Sequence, residues 1–171
     1  MNRIAVLGTG PSITGFVASD YDWSIGVNDI WKFVKSDDIV CLNSPREFNA
    51  DRLRVINTST PNAFFSQMVI WDTRPDFVKI NLRLGYPDRL CVLDDIKYEK
   101  SFCSPFIAAQ IAFKYYHAKE IHLFGVDLTN HPYLDKPLCG RIKSHFRNLA
   151  IALTEHDCKM IVHGDGILKN I

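Results

Sequence analysis

An α/β fold with a mostly parallel, Rossmann-like sheet in a three-layer sandwich is what this sequence predicts, and three observations carry the prediction. The chain opens on four apolar residues, Ile4 to Leu7, that run straight into Gly8-Thr9-Gly10-Pro11-Ser12. An uninterrupted apolar run closed by glycine is how a fully buried parallel strand reads. Two further apolar segments, Trp23 to Val27 and Ile39 to Leu42, each end in polar turn residues, Asn28-Asp29 and Asn43-Ser44-Pro45. That is the pattern of parallel units with short crossovers. The final third then alternates helix and strand periods, as a doubly wound sheet requires.

The elements follow in order. After the glycine turn, Ile13 to Ala18 reads as a short helix that Ser12 can cap, and Ser19 to Asp22 as a loop. Ile30 to Val34 reads as one amphipathic turn. Arg54 to Asn57 and Met68 to Trp71 are candidate strands, while Asp72 to Asp95, with Pro75 and Pro87, carries no firm assignment. Ser104-Pro105 is a helix start, with Ser as N-cap and Pro in the first turn, opening an alanine-rich helix to about His117. Glu120 to Phe124 is a strand ending in Gly125-Val126-Asp127. Leu128 to Gly140 reads as a polar loop, and Ile142 to His156 as a long helix with Phe146, Leu149 and Leu153 at helical spacing. Lys159 to Val162 is a last strand, closed by a turn at His163-Gly164-Asp165-Gly166.

Composition bounds the partners. With 171 residues, 47% hydrophobic and 23% charged, the chain suits one nucleotide-binding domain over residues 1–171. A net charge of +1 argues against a broad nucleic-acid interface. No apolar run approaches the ~20 residues of a membrane span, and the N-terminus enters a strand without a signal-like apolar segment. Five cysteines, Cys41, Cys91, Cys103, Cys139 and Cys158, form no C-x-x-C pair, which fits free thiols and a cytoplasmic location. A homo-oligomer is compatible with all of this.

Ligands of doubly wound sheets bind beyond the carboxyl ends of the strands. The residues there are Gly8 to Ser12, Asn28-Asp29, Asn43-Ser44 and Gly125-Val126-Asp127, with the Ser104 helix start alongside. Glycines that let backbone N–H groups approach a ligand, at a helix start, make an anion site. Short uncharged side chains suit a base, ribose or phosphate. The dinucleotide pattern G-x-G-x-x-G is incomplete, since its third glycine falls on Ile13; Asp29 lies ~20 residues on, where an acidic residue would hold a ribose. NAD is therefore a minor alternative, and no P-loop is present. Asp20-x-Asp22 precedes a strand and reads as a turn. His131, Cys139, His156, Cys158 and His163 lack zinc-ligand spacing, so no metal is expected.

Taken in order, these motifs resemble those of the small bacterial sialyltransferases that act on lipooligosaccharide. Gly8-Thr9-Gly10-Pro11-Ser12 is similar to their G-x-G-P-S opening, and Asp20-Tyr21-Asp22 followed by Asn28 to their D-[FY]-D-x-x-x-x-N segment. Asn43 matches an asparagine after their third strand, Cys103-Ser104 resembles their T-S-G helix start, and Phe124-Gly125-Val126-Asp127 their S-G-[IV]-D. Archaeal-type hydroxymethylpterin pyrophosphokinases also open on G-x-G-P-S and carry a G-x-D strand end. The resemblance leaves out residues ~50 to 100.

It implies a metal-independent enzyme, needing no cofactor, that transfers a sugar from a nucleotide-sugar donor to an acceptor hydroxyl. Gly8, Thr9, Gly10, Pro11 and Ser12 would approach the donor phosphate and ribose. Asn28 and Asn43 would hydrogen-bond it, and Ser104 and Gly125 would line the nucleotide; Asp29 and Ser44 join the binding set by their position after the strands. The nearest match to the family's catalytic histidine is His145, about one helical turn late, with Arg141 in its register; Tyr133 is the nearest tyrosine. Asp127 is an alternative proton acceptor, and Arg141 and Lys143 would neutralise the leaving phosphate. The pyrophosphokinase alternative would require Mg²⁺, for which Asp127 and Asp29 are the candidate pair. A non-catalytic nucleotide-binding domain is the third reading.

Overall fold

The computed structural model describes residues 1–43, 47, 51, 52, 54, 58, 61–67, 84–86, 103–129 and 135–171. Seven strands form one sheet: β1 (Arg3–Leu7), β2 (Trp23–Val27), β3 (Asp38–Val40), β4 (Ala63–Gln67), β5 (Leu84–Tyr86), β6 (Glu120–Phe124) and β7 (Lys159–Val162). Their order is β5-β4-β3-β2-β1-β6-β7, and every pairing is parallel. From β1 the chain steps outward through β5, then returns to lay β6 on the other side of β1. The direction therefore reverses between β1 and β6, the place where a doubly wound sheet opens its crevice.

Right-handed crossovers send the two directions of winding to opposite faces. Helices α1 (Ser104–Lys114) and α2 (Lys136–Glu155) cover the face of Ile4, Val6, Ile25, Val27, Ile121 and Leu123. The alternate residues Ala5, Leu7 and Phe124 face the other way, packed under Ile13, Phe16, Tyr21, Ile30 and Val34 from the early connections. α1 is alanine-rich and buried from Phe106 to Ala112, so it lies close on the sheet. α2 is amphipathic and buries a stripe of Ile142, Phe146, Leu149 and Leu153. Each such side chain contributes ~1.5–3 kcal/mol on leaving water. No helix among the described residues is long and apolar enough to cross a membrane.

The amino edge of the sheet is tied by carboxylates. Asp22 Oδ2 accepts the amides of Asn2 at 2.7 Å and Arg3 at 3.1 Å, fixing the start of β1. Asp20-x-Asp22 thus closes a turn on the edge away from the crevice. Asp38, fully buried, accepts from Trp23 Nε1 at 2.8 Å, from the Ala63 amide at 2.9 Å and from the Tyr116 hydroxyl. Burial pushes its carboxyl above the ordinary range, and the three donors pull it partly back.

Several expectations change. Ile13 to Ala18 is not a helix capped by Ser12: a 3-10 turn spans Pro11–Gly15 with Gly10 at its N-cap, and a second spans Ala18–Asp20. Pro11 starts the turn, and Ser12 lies inside it with its amide and hydroxyl committed elsewhere. Ser104 is the first residue of α1 rather than its cap, which is Cys103. α2 begins at Lys136, earlier than Ile142. Asp135 caps it, its carboxylate accepting the Leu138 amide at 2.8 Å, and Pro137 sits in the first turn rather than in a loop. Arg54 is helical, as are residues 51, 52 and 58, with the Thr58 hydroxyl donating to the Arg54 carbonyl at 3.0 Å, so Arg54 does not open a strand; residues 55–57 lie outside the described residues. Met68 to Trp71 lies outside the described residues.

Candidate functional site

At the carboxyl edge, the loops after β1 and β6 continue the pairing of their strands. The Gly8 amide donates to the Phe124 carbonyl at 2.7 Å, and the Gly10 amide to the Gly125 carbonyl at 2.8 Å. The approach is close enough that a Cβ on Gly8 would lie 2.3 Å from the Gly125 oxygen, and one on Gly125 2.1 Å from the Gly8 oxygen. Gly125 also has φ +66°, in the left-handed region. The glycines of the loop are thus spent first on seating it against Gly125.

Ser12 and Asp127 lock the two loops together. Asp127 Oδ2 accepts the Ser12 amide at 3.0 Å and the Ser12 hydroxyl at 2.9 Å, and that hydroxyl accepts the Gly125 amide at 2.8 Å. The turn after β7 closes on the same pair: the Ile167 amide donates to the Asp127 carbonyl at 2.9 Å. A Cβ on Gly164 would meet the Ser12 Cβ at 2.5 Å. Asp127 is buried, and its carboxylate is a structural acceptor in this state. A five-residue 3-10 turn has no appreciable helix dipole, so anion affinity here would come from the exposed Thr9 rather than from a helix end.

At the carboxyl end of β2, on the side of β1 away from β6, Asn28 takes the left-handed conformation (φ 53°), with its amide on the Val40 carbonyl at 2.9 Å. Asparagine tolerates that conformation better than most residues. Its Oδ1 accepts the Ser104 hydroxyl at 2.9 Å, and Ser104 Oγ in turn accepts the Leu42 amide at 3.3 Å. Ser104 therefore joins the ends of β2 and β3 to the start of α1. Asn43 lies next, bonded to Cys41 at 3.1 Å and to Glu47. Asp29 holds Arg52 in a two-pronged ion pair, at 2.8 and 3.0 Å. The ribose role read for Asp29 thus competes with a cation the sequence analysis did not single out; no fixed spacing links Arg52 to any motif.

Of the candidate catalytic residues, His145 sits on α2 with its ring 5.8 Å from that of Phe106, in the first turn of α1. Arg141 is exposed and Lys143 half-buried on the same helix. Tyr133 and Ser44 lie outside the described residues. Among the described residues, no three His, Cys, Asp or Glu side chains group as metal ligands. Burial pushes the Cys41 thiol up to about 12 and the Cys103 thiol to about 11, so both are unreactive near neutrality.

A histidine pair beside the crevice escaped the sequence analysis. His122 and His163 are hydrogen-bonded ring to ring at 2.9 Å. Only part of the signal was local: Glu120, His122 and Phe124 alternate onto one face of β6, whereas His163, one residue past β7, reaches Phe124 through the β6–β7 pairing. Burial pushes both imidazoles below their ordinary value of 6.5. The unfolded chain therefore takes up these protons first as pH falls, and stability declines from about pH 6.5 downward to the lowered folded values. Urea midpoints should fall between about pH 7 and about pH 5.5, and His163→Gln should flatten that decline. An unchanged slope in the variant would remove the pair as its source.

Comparison of the chain with protein-family models, with curated proteins and with solved structures finds no match.

Proposed function

We propose that the carboxyl edge of the sheet binds a nucleotide-activated sugar, and that the chain is a glycosyltransferase-like enzyme moving that sugar to an acceptor hydroxyl without a metal. The observation that supports this reading is the Ser104 bridge, 2.9 Å to Asn28 and 3.3 Å to the Leu42 amide, set at the carboxyl ends of β2 and β3, where β2 neighbours β1 and its glycine loop. With its oxygen on Ser104, the Asn28 amide keeps its NH₂ donors for a phosphate or sugar oxygen, while the Asn43 amide is held by Cys41 and Glu47. Thr9 and Pro11 offer the loop surface. Arg141 and Lys143 supply the positive charge that a departing phosphate needs.

Catalysis in this reading is in-line displacement: the acceptor oxygen attacks the anomeric carbon while the phosphate leaves with the bonding pair. The pyrophosphoryl alternative has less support, because the carboxylates it would use for Mg²⁺ are engaged, Asp29 with Arg52 and Asp127 with Ser12. The same engagement of Asp127 favours a second reading, a nucleotide-binding domain without turnover. A thermal-shift screen with CMP, CDP, UDP and their sugar conjugates, with and without Mg²⁺, separates these. A ligand at 100 times its Kd should add ~2.7 kcal/mol. Stabilisation by none of them would sink the nucleotide reading, and binding without hydrolysis or transfer would leave the non-catalytic one.

A further inference from the structure

The hydrogen bonds around the histidine pair run in one direction only. Glu120 Oε2 lies 3.2 Å from His122 Nε2, and His122 Nδ1 lies 2.9 Å from His163 Nε2. An ionised carboxylate accepts and does not donate, so His122 carries its proton on Nε2. Its Nδ1 is then an acceptor with a single lone pair, which faces His163, and the Tyr21 hydroxyl lies 3.5 Å away. His163 must donate from Nε2, and a neutral imidazole has one N–H, so the lone pair of His163 is on Nδ1. Glu120 keeps its charge because the His122 hydrogen bond holds its carboxyl below the ordinary range, with Arg3 beside it at 3.3 Å.

The end of this chain is at the crevice edge. His163 stacks on Phe124, with centroids 3.9 Å apart and 8° between planes, and its amide donates to the Leu123 carbonyl at 2.9 Å. The next residue, Gly164, packs against Ser12 and Asp127. The ring is thus carried by the turn that closes on the glycine loop.

We infer that Glu120, His122 and His163 form an acid–base relay whose end, His163 Nδ1, takes the proton of the acceptor hydroxyl; this rests on the transfer reading above. As the acceptor oxygen bonds to the anomeric carbon, the bond from that carbon to the donor phosphate oxygen breaks and the phosphate leaves with its electron pair. The hydroxyl proton passes to His163 Nδ1. The resulting imidazolium is held by His122 Nδ1, by the Glu120 charge behind it and by the Phe124 face. His122 and Glu120 are positioning residues. The other charged or titratable groups around the pair are Arg3, whose guanidinium lies 5.0 Å over the Tyr21 ring, Tyr21 itself, Asp20 and Lys159.

The test compares the full-length wild type with His163→Gln and Glu120→Gln, using the nucleotides and nucleotide-sugars of the screen. His163→Gln should keep the nucleotide thermal shift and lose ~100-fold or more in turnover, the usual weight of a general base. The acid limb of the wild-type kcat/KM profile should vanish with it. Glu120→Gln, which frees His122 to change tautomer, should lower kcat at unchanged KM and move that limb. Imidazole ¹⁵N spectra of the wild type should show both histidines protonated on Nε2. Unchanged turnover in His163→Gln, or a His163 protonated on Nδ1, overturns the relay while leaving the nucleotide site intact. A wild type that binds no nucleotide overturns the site reading, and the base role falls with it.

Discussion

Gly125→Ala is expected to destabilise the chain by at least ~3 kcal/mol, more than any surface substitution. Two effects add. The residue holds φ +66°, where an L side chain is strained by ~1–2 kcal/mol. Its new Cβ would also fall 2.1 Å from the Gly8 oxygen and 3.1 Å from the Gly10 nitrogen, both backbone atoms that cannot swing aside. Relief requires the loops to part, which breaks the 2.7 Å and 2.8 Å hydrogen bonds between them at ~1 kcal/mol each. Gly140→Ala is the matched control. A Cβ there meets nothing within 4 Å on an exposed turn of α2, so alanine should stabilise by ~0.5–1 kcal/mol. Urea unfolding of the two variants should move midpoints in opposite directions; a Gly125→Ala protein as stable as the wild type would mean the loops are not seated on each other.

Asp38→Ala should cost ~3–5 kcal/mol, because it orphans the Trp23, Tyr116 and Ala63 donors in a buried site at ~1–3 kcal/mol each. Asp38→Asn is a sharper probe. An amide oxygen can still serve the Ala63 amide, and the Tyr116 hydroxyl can reverse to accept. The indole of Trp23 only donates, so it would face the new NH₂ without a partner. Trp23→Phe should therefore recover part of the loss in Asp38→Asn while costing stability by itself. A double-mutant cycle measures that coupling, and additive effects would show that the indole bond contributes nothing.

The sequence was legible where one physical constraint dominated. β2, β6 and β7 were readable to the residue, since each is a short, largely apolar run bounded by turn residues. α1 was readable from Ser-Pro, although Ser104 turned out to lie inside the helix with its hydroxyl on Asn28. The start of α2 was hidden because Pro137 and Gly140 look like loop residues until Asp135 is seen to cap them. β4 and β5 were missed: Ala63–Gln67 runs into Met68-Val69-Ile70-Trp71 with no breaker between, and Leu84–Tyr86 is too short for a period to show. The described residues at the strand ends lie where position after the strands put them, but their partners were not foreseen. That Ser12 serves Asp127, that Asp29 serves Arg52 and that His122 meets His163 all depend on long-range register. Local spacing does not encode such contacts.

The Ser12–Asp127 contact joins residues 115 positions apart, across the central β1–β6 pairing. Parallel strands acquire their partners only after an intervening crossover has been ordered, and the entropy of closing so long a loop must be met before the contact rewards it. The strands β1, β2 and β3 can register early through short connections, whereas the crevice cannot exist until β6 has docked beside β1. If the edge binds a nucleotide as proposed, its assembly is expected late in folding, and binding should recover with the slowest major phase of refolding. In a stopped-flow refolding experiment, nucleotide binding would lag the burial of Trp23 and Trp31.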